Sequence, residues 1–307
     1  MKPHARWTLL VLGLAVAAQG IDGEGQPRRR PVRRRADAGV AAPADQTTDA
    51  GARPAAGSTD AGAGFSWAPL DALLRASVGT GGVNYTLLRQ RAQELRTFHD
   101  SLASVGPRST PAQFSTPAAR RTFWLNAYNT TVLRGIVDGP AGLRSVQDLA
   151  PDFGFFRARR WRLDGRELTL DQIEHGELLD VFHDPRFHMA LNCGARSCPP
   201  LRAGAYDSHA VDRQLDEQAT RFVNGAGNVT VDAGAHRVTV VQLFEWFASD
   251  FARPVPGHAP SGASGAISFL YTFAQEPLRG QLAAACGPTG AGCQLAFNPY
   301  NWSLNSR

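Results

Sequence analysis

The feature that most limits what this chain can fold into is a change of character at residue 65. Residues 21–65 are rich in Gly, Ala, Pro, Asp and Thr and show no apolar periodicity. A segment of that kind cannot bury enough surface to offset its ordering entropy, so a disordered linker is expected there. From residue 66 apolar residues recur at regular spacing to the end. The fold must therefore be made from residues 66–307, a length that suits one globular domain. With 43% hydrophobic residues in the whole chain, a sizeable core is available.

The segment before the linker has its own signature. Lys2 and Arg6 precede an apolar run from Trp7 to Ala18, and Ala18-Gln19-Gly20 forms a small-x-small site. A basic start, about 12 apolar residues and a small-residue cleavage site describe a signal peptide over residues 1–20. The expected location is therefore secreted or periplasmic. The formal net charge of +5 divides into +2 in residues 1–20, +1 in 21–65 and +2 in 66–307. A near-neutral globular part argues against a nucleic-acid partner. The cluster RRRPVRRR, Arg28 to Arg35, could meet an anionic envelope surface or act as a solvated tether. Lys2 is the only lysine, which removes Schiff-base chemistry from the globular part.

Periodicity predicts an α+β domain, in which helices are mixed with short strands and hairpins. Short helices are expected after Pro69 and over residues 85–104. Thr116-Pro117 should open a long helix that runs to about Val137. Residues 160–168 read as a hairpin turning at Asp164-Gly165. Thr169 and Gln172 have capping-box spacing for a helix to about Phe182. Arg186 to Asn192 looks strand-like. Residues 208–223 should form an amphipathic helix, 228–239 a hairpin, 242–250 a short helix, and 264–285 further helix.

The chemistry concentrates in LNCGARSCPPL, residues 191–201. Cysteine attacks as thiolate and needs a base or positive charge nearby. Cys198 is the expected nucleophile and His175 the expected base. Asp171, four residues before His175 on one helical face, or Glu174 would orient the imidazole. His188 has the alternation of a packed strand histidine. Asn126 and Asn129 sit in FWLNAYN, where a buried amide needs partners; Asn126 either ties the helix to a loop or donates to an oxyanion. The four cysteines also admit disulfides, with Cys286 and Cys293 across GPTGAG the readiest pair. Cys193 and Cys198 could themselves bridge, or bind a metal with His175 and His188, although their spacing is loose for zinc. No cofactor or metal is expected.

Five ordered segments carry a resemblance: FWLNAYN (123–129), LTLDQIEHGELL (168–179), HMALNCGARSCPPL (188–201), FEWFASDF (244–251) and YNWSLN (300–305). Over about residues 70–305 the chain resembles the bacterial and plant family named domain of unknown function 547. The resemblance implies that Asn126, Asn129, Glu174, His175, Cys193 and Cys198 are shared features and that Cys286 and Cys293 are an addition. Two functional expectations follow from the residues. One is an exported thiol hydrolase or acyltransferase of papain-like or transglutaminase-like logic, acting on a peptide or envelope substrate. The other is a non-catalytic envelope-binding or structural module with a disulfide-stabilised loop.

Overall fold

The computed structural model describes residues 65–307 apart from Ser264. The expected signal peptide, the Arg28–Arg35 cluster and the linker up to residue 64 lie outside the described residues.

Helix α4 (Pro117–Asp138) is the axis of the first half. Thr116 caps it by accepting a hydrogen bond from the Ala119 amide, and Pro117 supplies a preset φ in the first turn. At 22 residues it is about 33 Å long, and nearly every side chain from Thr122 to Val137 is buried. Helices α1 (Ala68–Ser77), α2 (Tyr85–Gln90) and α3 (Ala92–Ser101) pack around it. The single helix expected over 85–104 is broken at Arg91, whose guanidinium grips Glu94 with two hydrogen bonds. A two-residue ladder unforeseen from sequence, β1 (Val78–Gly79) with β2 (Gly82–Val83), joins α1 to α2. Gly135 is required in α4 because a Cβ there would lie 2.2 Å from the Phe155 ring, on the short helix α5 (Gly154–Arg157).

The expected hairpin is present as β3 (Trp161–Leu163) and β4 (Arg166–Leu168). Its turn residues Asp164 and Gly165 both have positive φ, the geometry that matches strand twist in a two-residue turn. The buried Asp164 carboxylate accepts from the Arg108 and Ser109 amides and so clamps the preceding loop. The capping box forms as expected, with Thr169 Oγ1 bound to the Gln172 amide and Gln172 Oε1 to the Thr169 amide. It opens α6 (Leu170–Gln172), which widens into a π-helical stretch over Ile173–Leu179 and closes as α7 (Asp180–Phe182). The strand expected over 186–192 is instead the helical turn α8 (Phe187–Ala190). Phe187 to Asn192 are buried without a break, so the alternation lacks the exposed face that a half-buried strand would have.

Helix α9 (Val211–Val223) spans both halves of the core. Its Val211 and Leu215 join the cluster around α4, while Ala219, Phe222 and Val223 join a second cluster. That second cluster is covered by β5 (Val229–Asp232), β6 (Arg237–Val241), α10 (Leu243–Trp246), α11 (Ala248–Phe251), α12 (Gly265–Phe273) and α13 (Leu278–Cys286). Strand β7 (Gln294–Asn298), also unforeseen, adds to β6 in parallel and completes a three-stranded sheet. The architecture is a mixed α+β domain with its strands in small separate sheets. Among the described residues no helix is long and apolar enough to cross a membrane.

The segment after β7 returns to the first half and is sewn into it by its backbone. Ser303 and Asn305 carbonyls accept from the Arg196 and Val83 amides, and the Leu304 and Asn305 amides donate to Arg144 and Gly194.

Candidate active site

Residues 191–198 form a tight loop whose shape is set by one buried side chain. Asn192 donates through its backbone amide to Asn129 Oδ1 at 2.8 Å and through Nδ2 to the Pro199 carbonyl at 2.7 Å. Its Oδ1 accepts from the Gly194 amide at 3.0 Å and from Asn305 Nδ2 at 3.1 Å. Asn305 in turn accepts from the Tyr85 hydroxyl at 2.7 Å, which links the loop to α2. Gly194 has φ +83, and a Cβ there would fall 2.6 Å from Ile136 Cδ1, so only glycine fits against α4.

This loop brings both free cysteines together. The Cys193 amide donates to Cys198 Sγ at 2.8 Å, and the Cys198 thiol points at the Leu191 carbonyl, 3.6 Å away. Burial pushes the Cys198 thiol well above the usual range, and the neighbouring Cys193 thiol pushes it further. Cys193 is half-buried, with its sulfur 3.4 Å from the Tyr300 hydroxyl. Burial opposes its ionisation, but hydrogen bonds from Cys198, Tyr300 and the Ala195 backbone outweigh that, and its acidity rises above that of an ordinary thiol. Tyr300 itself is pushed well above its usual range, first by burial and then by the two thiols, so it remains a proton donor. Of the two sulfurs, the one expected as nucleophile, Cys198, is thus the harder to ionise.

The π-helical stretch presents the acid–base residues. The widened turn places Glu174 where its Oε2 accepts from the Tyr128 hydroxyl of α4 at 3.2 Å. Glu174 Oε1 lies 3.7 Å from His188 Nδ1, and His188 Nε2 lies 2.9 Å from Asp250 Oδ2. His188 thus bridges two carboxylates, and its ring lies against Phe247 with centroids 4.1 Å apart. Burial works against the Asp250 charge, but the His188 hydrogen bond prevails and holds the carboxyl below its usual range. Asp171 and His175 lie together, but the hydrogen bond runs to the backbone: His175 Nδ1 is 3.1 Å from the Asp171 carbonyl and 3.7 Å from its carboxylate. Burial disfavours protonated His175, yet the charges of Glu174 and Asp171 outweigh it and raise its pKa. Among the described residues, neither thiol hydrogen-bonds to His175 or His188.

Asn126 is occupied elsewhere. Its Nδ2 donates to the Tyr206 carbonyl at 3.0 Å and its Oδ1 accepts from the Tyr206 amide at 2.8 Å. An amide with both ends bound to backbone ties α4 to a loop, the first of the two roles expected for Asn126. Asn129 does the same for the Ala190 carbonyl and the Asn192 amide. Tyr128, Asp250 and Tyr300 lie in FWLNAYN, FEWFASDF and YNWSLN, where no short-range pattern marks them out. His188, expected as a packed strand residue or a metal ligand, instead lies between Glu174 and Asp250. Among the described residues, no group of three His, Cys, Asp or Glu is arranged to hold a metal ion.

Aromatic rings flank the Cys193 side. Tyr300 lies 4.6 Å from Trp302 and 4.9 Å from Trp246, and the two indoles stack at 5.8 Å with 21° between planes. Phe153, held at φ 58, meets Trp302 at 5.1 Å. All four rings are partly exposed.

The second expected cysteine pair is bonded: Cys286 and Cys293 join with Cα atoms 4.4 Å apart. No protein of curated function and no solved structure matches the chain. Residues 112–223, which hold α4, the Glu174–His175 turn and both free cysteines, match the family described as "Protein of unknown function, DUF547".

Proposed function

We propose that this protein is an exported thiol-dependent hydrolase or acyltransferase in which Cys193 attacks the substrate and Cys198 supports it. The observation that carries the reading is the contrast between the two sulfurs: Cys193 is partly exposed with its sulfur 3.4 Å from the Tyr300 hydroxyl, whereas Cys198 is buried and accepts from the Cys193 amide. The thiolate sulfur would form a bond to a carbonyl carbon while the carbonyl π electrons move to oxygen. Tyr300, whose hydroxyl lies 3.4 Å from that sulfur, would donate to the oxyanion. As the tetrahedral centre collapses, the leaving nitrogen or oxygen takes a proton from His175. Water or a second acceptor then cleaves the thioester and returns a proton to His175. The half-exposed rings of Trp246, Trp302 and Phe153 suit an apolar or planar part of a peptide or envelope substrate.

Export is supported by the pattern of residues 1–20 and by the bonding geometry of Cys286 and Cys293, since disulfides persist in oxidising compartments. Recovery of the protein from the periplasm or medium, with its N-terminus at residue 21, is the expected result. Retention in the cytosol with an intact N-terminus would refute it.

The thiol assignment is tested by iodoacetamide labelling across pH with peptide mapping. Cys193 should react about tenfold or more faster than Cys198, with a midpoint below the ordinary value of about 8.5. Tyr300→Phe should move that midpoint upward. An ordinary profile at Cys193, unmoved by Tyr300→Phe, or preferential labelling of Cys198, would reject it. The lack of a thiol–histidine hydrogen bond favours the second reading, a non-catalytic envelope module, and that labelling outcome would leave it standing.

A further inference from the structure

Behind the cysteine loop lies a cavity of about 190 Å³ that the proposed chemistry at Cys193 does not use. Its walls are the β1–β2 hairpin, the stretch from Arg196 to Leu201, Arg221 from α9 and Asn305. Cys198 lines it as well, so the cavity and the reactive loop share one sulfur.

The lining has one sign of charge. The charged side chains that line it are Arg196 and Arg221. Asn305 offers little, because its Oδ1 is taken by Tyr85 and its Nδ2 by Asn192. A third guanidinium, that of Arg307, lies against Gly79, where a Cβ would meet it at 2.5 Å. Arg196 is anchored by a bond from Nη2 to the Ser306 carbonyl at 3.1 Å, which fixes the guanidinium at the rim. Gly79, Gly81 and Gly82 line the opposite wall, and Gly82 must be glycine because Asn305 O lies 2.1 Å from where a Cβ would be. Two guanidinium groups lining one cavity that holds no carboxylate are the elements of a site for a planar or tetrahedral oxyanion. A dry cavity of about 150 Å³ accommodates benzene, so this one suits a ligand of roughly six to ten heavy atoms.

We propose that this cavity binds a small organic oxyanion, a compact carboxylate or phosphate, held by Arg196 and Arg221 against the face of Cys198. The claim is independent of whether Cys193 is a nucleophile. The occupant would sit one hydrogen bond from the Cys193 amide, because that amide is bound to Cys198 Sγ.

Calorimetric titration of the mature protein with succinate, inorganic phosphate and neutral succinamide tests it. Succinate or phosphate should bind and succinamide should not; which anion binds more tightly identifies the carboxylate or the phosphate source. Arg196→Gln and Arg221→Gln should each weaken binding about tenfold, in keeping with the loss of a charge-assisted hydrogen bond, and unchanged thermal melts will show that both variants fold. A second readout uses Cys198 in a Cys193→Ser background. Anionic iodoacetate should gain on neutral iodoacetamide at Cys198, and the Arg196→Gln/Arg221→Gln pair should abolish that gain. Equal binding of succinamide, no binding of either anion, or an iodoacetate preference indifferent to both arginines would overturn the proposal. Labelling of Cys193 in the wild-type protein reads the catalytic proposal separately, so the two can fail independently.

Discussion

The protein contains two short cysteine-bounded loops that are closed by different means. Cys286 and Cys293 are seven residues apart and joined covalently. Cys193 and Cys198 are closed by a backbone amide on a sulfur, with Asn192, Gly194 and the returning segment around Asn305 fixing the rest. The bonded loop lies beside β7, most of which is at least partly exposed. The unbonded loop is pressed on buried α4. Where packing and buried hydrogen bonds already define a loop, both sulfurs stay unbonded. Where they do not, a covalent link supplies the closure.

Breaking the unbonded loop should have the largest effect. Asn192→Ala leaves the Pro199 carbonyl, the Gly194 amide and Asn305 Nδ2 without a buried partner, at about 1–3 kcal/mol for each group. A loss of about 4 kcal/mol or more in urea denaturation is expected, with Cys193 and Cys198 then labelling alike. Acid sharpens the comparison next, because it loads the half containing the free cysteines. His99, beside Trp161 and Thr131, is held down to about 4, chiefly by burial and then by the Arg134 charge. Above pH 6.5 the folded and unfolded states are both neutral at this residue. As pH falls from 6.5 to 4 only the unfolded state gains the proton, so stability falls by about 3 kcal/mol. His99→Gln should flatten that slope between pH 7 and 4.5 in denaturation curves.

Breaking the covalent loop should cost less. Cys286→Ser with Cys293→Ser removes closure of a short loop, about 2 kcal/mol by chain entropy, and calorimetric melting should show it without changing the labelling of Cys193. The smallest effect tests the frame that carries Glu174 and His175. Thr169→Ala deletes the cap of α6 and should lower stability by about 1 kcal/mol in the same melts.

What could be read in advance was local. Thr116-Pro117, Thr169 with Gln172, and Asp164-Gly165 each announce their element within a few residues, and each forms where expected. The Cys286–Cys293 bond and the Asp171–His175 pair are equally short-range. The misses depend on distant partners. His188 acquires its roles from Asp250, 62 residues on, and Cys193 its acidity partly from Tyr300, 107 residues on. Strand β7 exists because β6 offers an edge. Asn126 reads alike whether it serves backbone or substrate, and the backbone role becomes visible only with its distant partner Tyr206.

The backbone of the cysteine loop is completed by Ser303 and Asn305, and the side chain of Asn305 closes contacts 113 and 220 residues back. During vectorial synthesis or export, nearly the whole domain must therefore emerge before the loop can take its shape. Contacts of such separation form late and slowly. Until then Cys193 lacks Tyr300 and Cys198 lacks the anchored loop that buries it, so the nascent chain carries two ordinary thiols. A polypeptide stalled before residue 300 would lack the contacts that distinguish the two sulfurs, and Cys193 and Cys198 would react alike.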